Sequence, residues 1–337
     1  LKELAPAVKN MERLAADFSA DPQGWKSFTT EKLFRERYGD LADAYWKAIC
    51  GAADEACPYL LTWEGDTWFE GSLVEPLSCV IGAFNANYHL QEGSYNHVMG
   101  IRPQGHTLIL GGTGPMGLLA IDYALHGPIN PSLLVVTDTN KPKLSYARRH
   151  YPSEPQTLIH YLDGHEASRD TLLALSGGHG FDDIFVFVPN EQLITLASSL
   201  LAPDGCLNFF AGPQDKQFSA PINFYDVHYA FTHYVGTSGG NTDDMRAAVA
   251  LMQAKKVQTA KVVTHILGLN AAGETTLDLP AVGGGKKLVY TGKAFPLTPL
   301  GEIADPELAA IVARHHGIWS QEAEAYLLAH AEDITHD

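Results

Sequence analysis

The chain has 337 residues, of which 45% are hydrophobic and 18% are charged, a composition typical of a globular protein with one large or two ordinary domains. Its formal net charge of −16 argues against nucleic acid or an anionic membrane surface as a partner, because both partners require basic patches. The charge does not exclude an anionic small substrate, which needs only local positive groups.

The first 63 residues predict helices with a packing role. Apolar side chains recur at helical spacing from Leu4 to Phe18, and again in a segment from Thr30 to Cys50 in which Thr30 is a suitable N-cap.

A carboxylate and two histidines follow. Glu75 precedes Pro76 in an apolar stretch that predicts a helix beginning at the proline. A carboxylate in this setting needs a partner such as a metal, a hydroxyl or a cation, unless it simply lies at the helix N-terminus. The next residues are polar and aromatic and suit the rim of a pocket. They include His89 and His97, although single histidines of this kind are more often structural than catalytic.

The segment from Thr107 to Asp138 predicts a strand, a glycine turn, a helix and a second strand. The strands are apolar runs at 107–110 and 133–137, and the helix extends from Pro115 to about Leu125. A G-x-G-x-x-G pattern, formed by Gly112, Gly114 and Gly117, lies between the first strand and the helix. The pattern alone is weak evidence, but in this context it predicts a dinucleotide site.

Each residue type in the pattern has a mechanical reason. Gly112 allows a tight turn, Gly114 lets the backbone approach a pyrophosphate, and Gly117 lets the helix pack closely on the strand. The helix N-terminus offers unpaired N–H groups to the phosphates. Asp138, 21 residues after Gly117, can accept hydrogen bonds from a ribose diol and would repel a 2′-phosphate, which favours NAD over NADP. The alternative is a glycine-rich turn without a ligand.

Strands and helices alternate through the rest of this region. Helices are predicted at 143–150, 167–175, 192–201 and 243–254, and strands at 158–161, 184–188, 206–210, 234–236 and 287–290. Pro203, Asp204 and Gly205 predict a turn. Such alternation predicts a doubly wound parallel sheet, which we expect Lys287–Tyr290 to close.

The last residues predict a helical hairpin. Asp305 and Pro306 predict the start of a helix that ends near Gly317, and Ser320 is a suitable cap for a second helix that ends near Ala331. We expect the hairpin to pack on the N-terminal helices or on another subunit, so that the helical ends would mediate homo- or hetero-oligomers.

Residues from about 72 to 291 resemble the coenzyme domain of the medium-chain, zinc-type alcohol and sorbitol dehydrogenases. Within that family they are most similar to the L-sorbose-1-phosphate reductases. The segments that carry the resemblance include EGSLVEPLSC (70–79), GGTGPMG (111–117), VVTDTNKPKL (135–144), NFYDVHYAFTHYVGTSGG (223–240) and GGKKLVYT (284–291). The resemblance implies an α/β fold, with a helical segment at 1–63, a Rossmann dinucleotide-binding domain at 64–291 and a helical hairpin at 292–337.

The resemblance also implies roles for single residues. Asp138 and Lys143 would contact the adenosine ribose. Gly114, Pro115 and Met116 would contact the pyrophosphate, with Gly112 and Gly117 in the same cofactor-binding turn. The nicotinamide side would comprise Val188, Ala211, Gly236, Ser238 and Gly239. Glu75 occupies the position where sorbitol-type members carry a carboxylate beside the catalytic zinc.

The zinc itself is doubtful on the sequence. The family places its zinc ligands in an N-terminal barrel-like domain with a G-H-E motif, whereas the residues before the resembling region lack that motif and predict helices. A catalytic zinc needs three protein ligands, and Glu75 alone cannot supply them without help from Cys79, His89 or His97. The glycine pattern and Asp138 predict NAD as the cofactor, and zinc is doubtful.

Three functions remain open. The first is an NAD-dependent oxidoreductase acting on a polyol or sugar phosphate, with His89, His97 and His228 as candidates for proton handling and Glu75 as an orienting group or ligand. The second is a non-catalytic NAD(H)-binding subunit or assembly module. The third is an enzyme that recycles tightly bound NAD, as an epimerase or lyase does.

The cysteines indicate the compartment. Cys50, Cys57, Cys79 and Cys206 show no paired spacing, and neither a signal peptide nor an apolar run near 18 residues is present in the sequence. The sequence therefore predicts reduced thiols in the cytoplasm.

Overall fold

The computed structural model describes residues 61–334. The helices predicted between Leu4 and Cys50 lie outside the described residues. Two helices and a small hairpin come first: α1 (Trp68–Ser72), α2 (Val74–Ala86), β1 (Tyr88–Leu90) and β2 (His97–Met99). Helix α2 begins two residues before the predicted start at Pro76, with Glu75 in its first turn.

A six-stranded parallel sheet follows. Its strands are β3 (His106–Leu110), β4 (Leu133–Asp138), β5 (Leu158–Asp163), β6 (Phe181–Val186), β7 (Leu201–Phe209) and β8 (His233–Gly236), in the spatial order β5-β4-β3-β6-β7-β8. Every neighbouring pair is parallel. The doubly wound sheet predicted from the sequence is confirmed.

Helices connect the strands and flank the sheet. They are α3 (Pro115–His126), α4 (Lys141–His150), α5 (Arg169–Leu175), α6 (Glu191–Ser198), α7 (Phe224–Tyr229) and α8 (Thr242–Gln253). Asparagine or serine caps the N-terminus of five of these six helices through its side chain, and α3 has no side-chain cap. The uncapped helix is the one that follows the glycine turn.

The hydrophobic core lies on the central strands. All six residues of β6 are buried, and Leu108, Ile109 and Leu110 of β3 are fully buried. Strands covered on both faces read as continuous apolar runs, because neither face meets water. These runs were therefore the clearest strand signals in the sequence.

The prediction that Lys287–Tyr290 closes the main sheet is wrong. Strand β9 (Val263–Gly268) is followed by helix α9 (Ala272–Asp278), β10 (Lys286–Tyr290) and β11 (Thr298–Pro299), and the three strands form a separate sheet in the order β10-β9-β11. Two short 3-10 turns, Thr259–Val262 and Leu269–Ala271, flank β9. Burial alternates along β10, with Leu288 and Tyr290 buried and Val289 43% exposed, unlike the central strands.

The predicted turn at 203–205 is also wrong, because β7 runs through it without ending. Asp204 has a left-handed backbone, with φ of 60°, and its N–H donates to the carbonyl of Ala230. The pairing register between β6 and β7 shifts between Phe181 and Asp183. The turn residues therefore produce an irregularity within a strand.

The two C-terminal helices, α10 (Pro306–Arg314) and α11 (Gln321–His330), confirm the predicted hairpin. Asp305 and Ser320 cap them as expected. Glu324 of α11 is only 3% exposed, and its carboxylate accepts the N–H groups of Trp68 and Phe69 at 2.8 and 2.9 Å and the hydroxyl of Tyr290 at 2.9 Å. One carboxylate thus joins α11, α1 and β10.

Glu324→Ala should lower the free energy of unfolding by about 3 kcal/mol, because it leaves buried donors without an acceptor. Urea unfolding followed by circular dichroism would measure the change. Glu322→Ala is the control on the same helix, since that exposed carboxylate pairs with Arg314 and His315 at the surface, where water screens the pairs, and its loss should change the free energy of unfolding little. Equal losses in the two variants would contradict the proposed role of Glu324.

No helix among residues 61–334 is both long and apolar enough to span a bilayer.

Candidate functional site

The turn after β3 is built from glycines that the protein's own packing requires. A Cβ atom at Gly117 would collide with the backbone of Gly112, and a Cβ atom at Gly112 would lie 2.6 Å from Ile109 and 2.7 Å from Val136 side-chain atoms. Gly111 has a left-handed backbone, with φ of 71°. These glycines bring the start of α3 against the strand, and we call residues 111–117 the glycine elbow.

Gly114 differs from the other glycines of the elbow. A Cβ atom there would meet no atom of residues 61–334 within 4 Å, so no contact in this part of the chain explains the absence of a side chain. Gly114 is the N-cap of α3, and no described side chain caps the N–H groups of the first turn. Next to it, the hydroxyl of Thr113 is buried and lacks a hydrogen-bond partner among the described residues. Open space, free N–H groups and a buried hydroxyl fit a phosphate-bearing ligand.

Asp138 lies at the carboxyl end of β4, beside the elbow. One carboxylate oxygen accepts the N–H of Thr113 at 3.0 Å, and the other accepts the N–H of Asn140 at 3.0 Å. A carboxylate has about four lone-pair sites, so acceptor capacity remains for a ribose diol. The structure therefore brings Asp138 against the glycine elbow, although it lies 21 residues after Gly117 in the sequence.

Lysines add positive charge near the elbow. Lys143 lies in the first turn of α4, where its N–H donates to the side chain of Asn140. Burial lowers the pKa of Lys287, and the charge of Lys143 lowers it further. A cavity of about 330 Å³ lies between Thr113 and Pro115 of the elbow, Lys143, and Gly284–Gly285 before β10. A local positive field therefore exists within a strongly acidic chain.

The residues assigned to the nicotinamide side follow the carboxyl ends of β6, β7 and β8. The side chain of Val188 packs against Gly111 of the elbow, and Ala211 donates its N–H to the carbonyl of Val186. Gly236 ends β8, and Ser238 and Gly239 follow it as exposed residues. The hydroxyl of Thr237 is buried, and no residue in the described part of the chain forms a hydrogen bond with it. Ligands of parallel sheets bind beyond these ends of the strands, so the predicted cofactor residues share one edge.

Glu75 lies next to this loop. The thiol of Cys79 donates to the carboxylate of Glu75 at 3.2 Å. Burial raises the pKa of the Cys79 thiol, and the hydrogen bond and charge of Glu75 raise it further, while the backbone of Gly240 and the charge of Lys286 oppose the rise. The sequence pattern indicates for Cys79 only a possible part in a zinc site. Its spacing of four residues from Glu75 on one helix could have identified the pair.

The three histidines predicted to handle protons lie elsewhere. His89 is 5% exposed, and its ring nitrogens lie 2.8 Å from the carbonyl of Asp204 and 3.2 Å from the carboxylate of Asp183, in the amino-terminal half of the sheet. His97 is exposed and stacks on Tyr88, which also packs on the ring of His233 at the start of β8. The structure thus separates His89 and His97 from the glycine elbow.

His228 is likewise distant from the elbow. It is an exposed residue in the last turn of α7, with its ring against that of Tyr229. The residue that follows α7, Ala230, bonds to Asp204 in the amino-terminal half of β7. Glu75 is therefore the one sequence-predicted catalytic candidate that lies beside the nicotinamide-side loop.

His89 belongs to a buried ionic network instead. Asp183 is fully buried and also accepts the side-chain amide of Asn87 and the N–H of Arg102. Burial alone lowers the pKa of His89, but the hydrogen bond and charge of Asp183, with help from Asp204, outweigh it and raise the pKa overall. Protonated His89 is therefore favoured in the folded state.

The stability that His89 provides should decrease as the pH rises. A raised folded pKa gives a contribution that is complete below the unfolded value of about 6.5 and is lost as the pH passes the folded pKa. Urea unfolding at pH values from 5.5 to 8.5 should therefore show a smaller decline for His89→Gln than for the natural chain. His97→Gln is the matched control, because that side chain is exposed, and it should leave the decline unchanged. An identical pH dependence of the free energy of unfolding in all three proteins would contradict a stabilising role for protonated His89.

Metal ligands do not cluster in the described part of the chain. Among residues 61–334, no three side chains of histidine, cysteine, aspartate or glutamate lie together in a way that could hold a metal ion. A G-H-E tripeptide does occur at 164–166, after β5, but His165 and Glu166 are exposed there. The described residues alone therefore do not supply the three ligands of a catalytic zinc.

No family model matches the sequence, but curated proteins do, and two of them are described here. YggP of Escherichia coli (strain K12), an uncharacterized protein, is 46% identical over 284 residues, which cover 80% of this chain and 67% of YggP. Mannitol-1-phosphate 5-dehydrogenase of Aliivibrio fischeri is 42% identical over 291 residues, which cover 82% of this chain and 68% of that enzyme.

Solved dehydrogenase structures share the fold. 2R,3R-butanediol dehydrogenase from Bacillus subtilis superposes with a TM-score of 0.54 at 18% identity, and the match covers 68% of this chain and 60% of that one. The chain thus spans less than two thirds of this structure. Other solved neighbours include zinc-binding dehydrogenases, one of them bound to NADP, and a complex with NADH. At such identities the likeness shows the fold alone.

Proposed function

The chain belongs to the dehydrogenase family that includes mannitol-1-phosphate 5-dehydrogenase of Aliivibrio fischeri, and we propose on this basis that it is an NAD(H)-dependent oxidoreductase acting on a polyol or sugar phosphate. The observation that carries the proposal is the glycine elbow with Asp138 bonded to its backbone. Gly114 leaves room for the pyrophosphate, and the Asp138 carboxylate retains acceptor capacity for the adenosine ribose.

The residues beside the nicotinamide-side loop support a reaction there. NAD, when bound, supplies the hydride acceptor at nicotinamide C4. Glu75 would accept the hydroxyl proton while the carbinol C–H of the substrate is transferred as hydride, which leaves a carbonyl group. Cys79 would hold the Glu75 carboxylate in place through the 3.2 Å hydrogen bond.

Lys286 is the local positive group that a phosphorylated substrate needs. Its charge acts on Cys79, and it lines a cavity of about 650 Å³ together with Ser72 of α1 and Pro76 of α2, the helix that carries Glu75. A cavity of this size can accommodate a sugar phosphate. The proposal therefore places the phosphate near Lys286 and the reacting carbinol near Glu75.

The experiment is an absorbance assay at 340 nm with mannitol 1-phosphate and NAD, compared with unphosphorylated mannitol. L-sorbose 1-phosphate with NADH tests the narrower substrate prediction made from the sequence. Addition of a chelator, followed by zinc, tests whether turnover requires the metal. We expect turnover of a phosphorylated substrate and little turnover of mannitol.

Two outcomes would replace the proposal. NADH binding without turnover of any tested substrate would favour the non-catalytic binding module. Conversion of substrate with no change at 340 nm would favour an enzyme that recycles bound NAD.

A further inference from the structure

One stripe of helix α2 faces the nicotinamide-side loop, residues 237–241, and the start of α8. The stripe has spacings of four, three and three residues, which place its members on one side of the helix, and it consists of Glu75, Cys79, Gly82 and Asn85. Asn85 lies about 15 Å further along the helix axis than Glu75, at about 1.5 Å per residue. The stripe therefore connects the carboxylate proposed to accept the substrate proton with the far end of α2.

Glycines bring this stripe into direct contact with the loop. A Cβ atom at Gly240 would lie 2.5 Å from the carbonyl oxygen of Ser78. A Cβ atom at Gly82 would lie 2.9 Å from the carboxylate of Asp244 and 3.3 Å from the Cα atom of Gly240. Neither glycine has a left-handed backbone, so the close approach of helix and loop is what excludes a side chain at both positions.

A side-chain hydrogen bond fastens the contact. The amide of Asn85 donates to one carboxylate oxygen of Asp244 at 2.8 Å, and the other oxygen accepts the N–H of Asn241 at 2.9 Å. Asp244 is 6% exposed and lies in the first turn of α8, immediately after the loop. Within residues 61–334, no other side-chain hydrogen bond joins α2 to α8.

We propose that the Asn85–Asp244 pair positions Glu75 relative to the nicotinamide-side loop. This role rests on the proposed function and adds the residues that keep its two halves in register. The glycine contacts are close but not directional, whereas the hydrogen bond fixes how far α2 can slide along the loop. A carboxylate must lie about 2.6–3.2 Å from the hydroxyl whose proton it accepts, and a displacement of about 1 Å can lower the rate about 100-fold.

The chemistry of the pair allows a test by exchange. Asn85 is exposed, so its replacement leaves the hydrophobic core unchanged. Asn85→Asp places one carboxylate opposite another, and their repulsion should open the contact. The exchanged pair, Asn85→Asp with Asp244→Asn, again places an amide opposite a carboxylate and retains an acceptor for the N–H of Asn241.

The first measurement is steady-state oxidation of mannitol 1-phosphate with NAD. We expect Asn85→Asp to lower kcat at least about 10-fold with the substrate KM within about 2-fold, and the exchanged pair to recover at least about half of the natural kcat. Asp243→Asn is the matched control and should leave kcat unchanged. That carboxylate is adjacent to Asp244, but its side chain is 87% exposed and pairs with Arg246 on its own helix.

The second measurement does not depend on turnover. The fluorescence emission of bound NADH reports the surroundings of the nicotinamide ring, whereas we expect affinity to depend mainly on the glycine elbow and Asp138. Asn85→Asp should therefore bind NADH with the natural dissociation constant but lose most of the change in emission that binding to the natural chain produces. The exchanged pair should restore that change. Circular dichroism verifies the fold of each variant.

Natural kcat and natural NADH emission in Asn85→Asp would overturn the positioning role and leave the proposed function in place. A loss that the exchanged pair does not recover, or an equal loss in Asp243→Asn, would overturn it as well. If the natural chain binds NADH but turns over no substrate, the proposed function fails alone, and the emission of the variants still decides whether the pair positions the loop. A natural chain that binds no NADH would overturn both.

Discussion

Gly114→Val is expected to remove NADH binding while leaving the fold intact. The new side chain would project into space where no atom of the described residues lies within 4 Å of the Cβ position, so packing in that part of the chain does not oppose it. The backbone at Gly114 is extended, with φ of −71°, and valine adopts this conformation without strain. A pyrophosphate placed on the uncapped N-terminus of α3 would, however, collide with the side chain. We expect the NADH dissociation constant to rise at least about 100-fold.

Valine substitutions at two other glycines are the controls for this result. Gly117→Val should destabilise the protein, because its Cβ atom would collide with the Gly112 backbone. Gly273→Val, on α9, adds the same side chain in open space away from the elbow and should leave both stability and binding close to natural values. Thermal unfolding and calorimetric titration with NADH distinguish the three variants. Natural NADH affinity in folded Gly114→Val would show that the elbow does not hold the coenzyme.

Asp138→Ser is expected to reverse or abolish the preference for NADH over NADPH. The carboxylate is proposed to accept the ribose hydroxyls and to repel a 2′-phosphate, and charge-assisted hydrogen bonds of this kind contribute about 1.5–3 kcal/mol. Loss of the carboxylate should therefore weaken NADH binding about 10- to 100-fold and improve NADPH binding, since Lys143 nearby can then interact with the phosphate. Competitive titration of both coenzymes measures the ratio of the NADH and NADPH dissociation constants.

Asp163→Ser is the control for this prediction. Asp163 pairs with Asp138 in the β4–β5 register and forms an ion pair with Lys141 at 3.2 Å, so it is a carboxylate at the same edge of the sheet. Its replacement should change the coenzyme ratio little. An unchanged ratio in Asp138→Ser, or an equal change in both variants, would place the adenosine ribose elsewhere.

The elbow could be predicted from the sequence because its parts are local. Gly112, Gly114 and Gly117 act through backbone geometry within one turn, and Asp138 follows at a spacing fixed by one helix and one strand. Central strands such as Phe181–Val186 were evident for a similar reason, since burial on both faces leaves a continuous apolar run.

The remaining features depend on contacts between distant residues. The sequence of Lys286–Tyr290 indicates a strand but not its sheet, and only tertiary pairing with Val263–Gly268 assigns it. His89 has no local signal that places it in the amino-terminal half of the sheet, because that position depends on Asp183, 94 residues away in sequence. Glu324 similarly acts on residues about 255 positions earlier.

Calorimetric titration of the natural chain with NADH, with Gly114→Val titrated in parallel, tests the coenzyme site most directly. We expect one NADH bound per chain in the natural protein and no measurable binding in the folded variant. A natural chain that takes up no NADH would contradict the coenzyme site and, with it, the roles proposed for Asp138, Lys143 and Glu75.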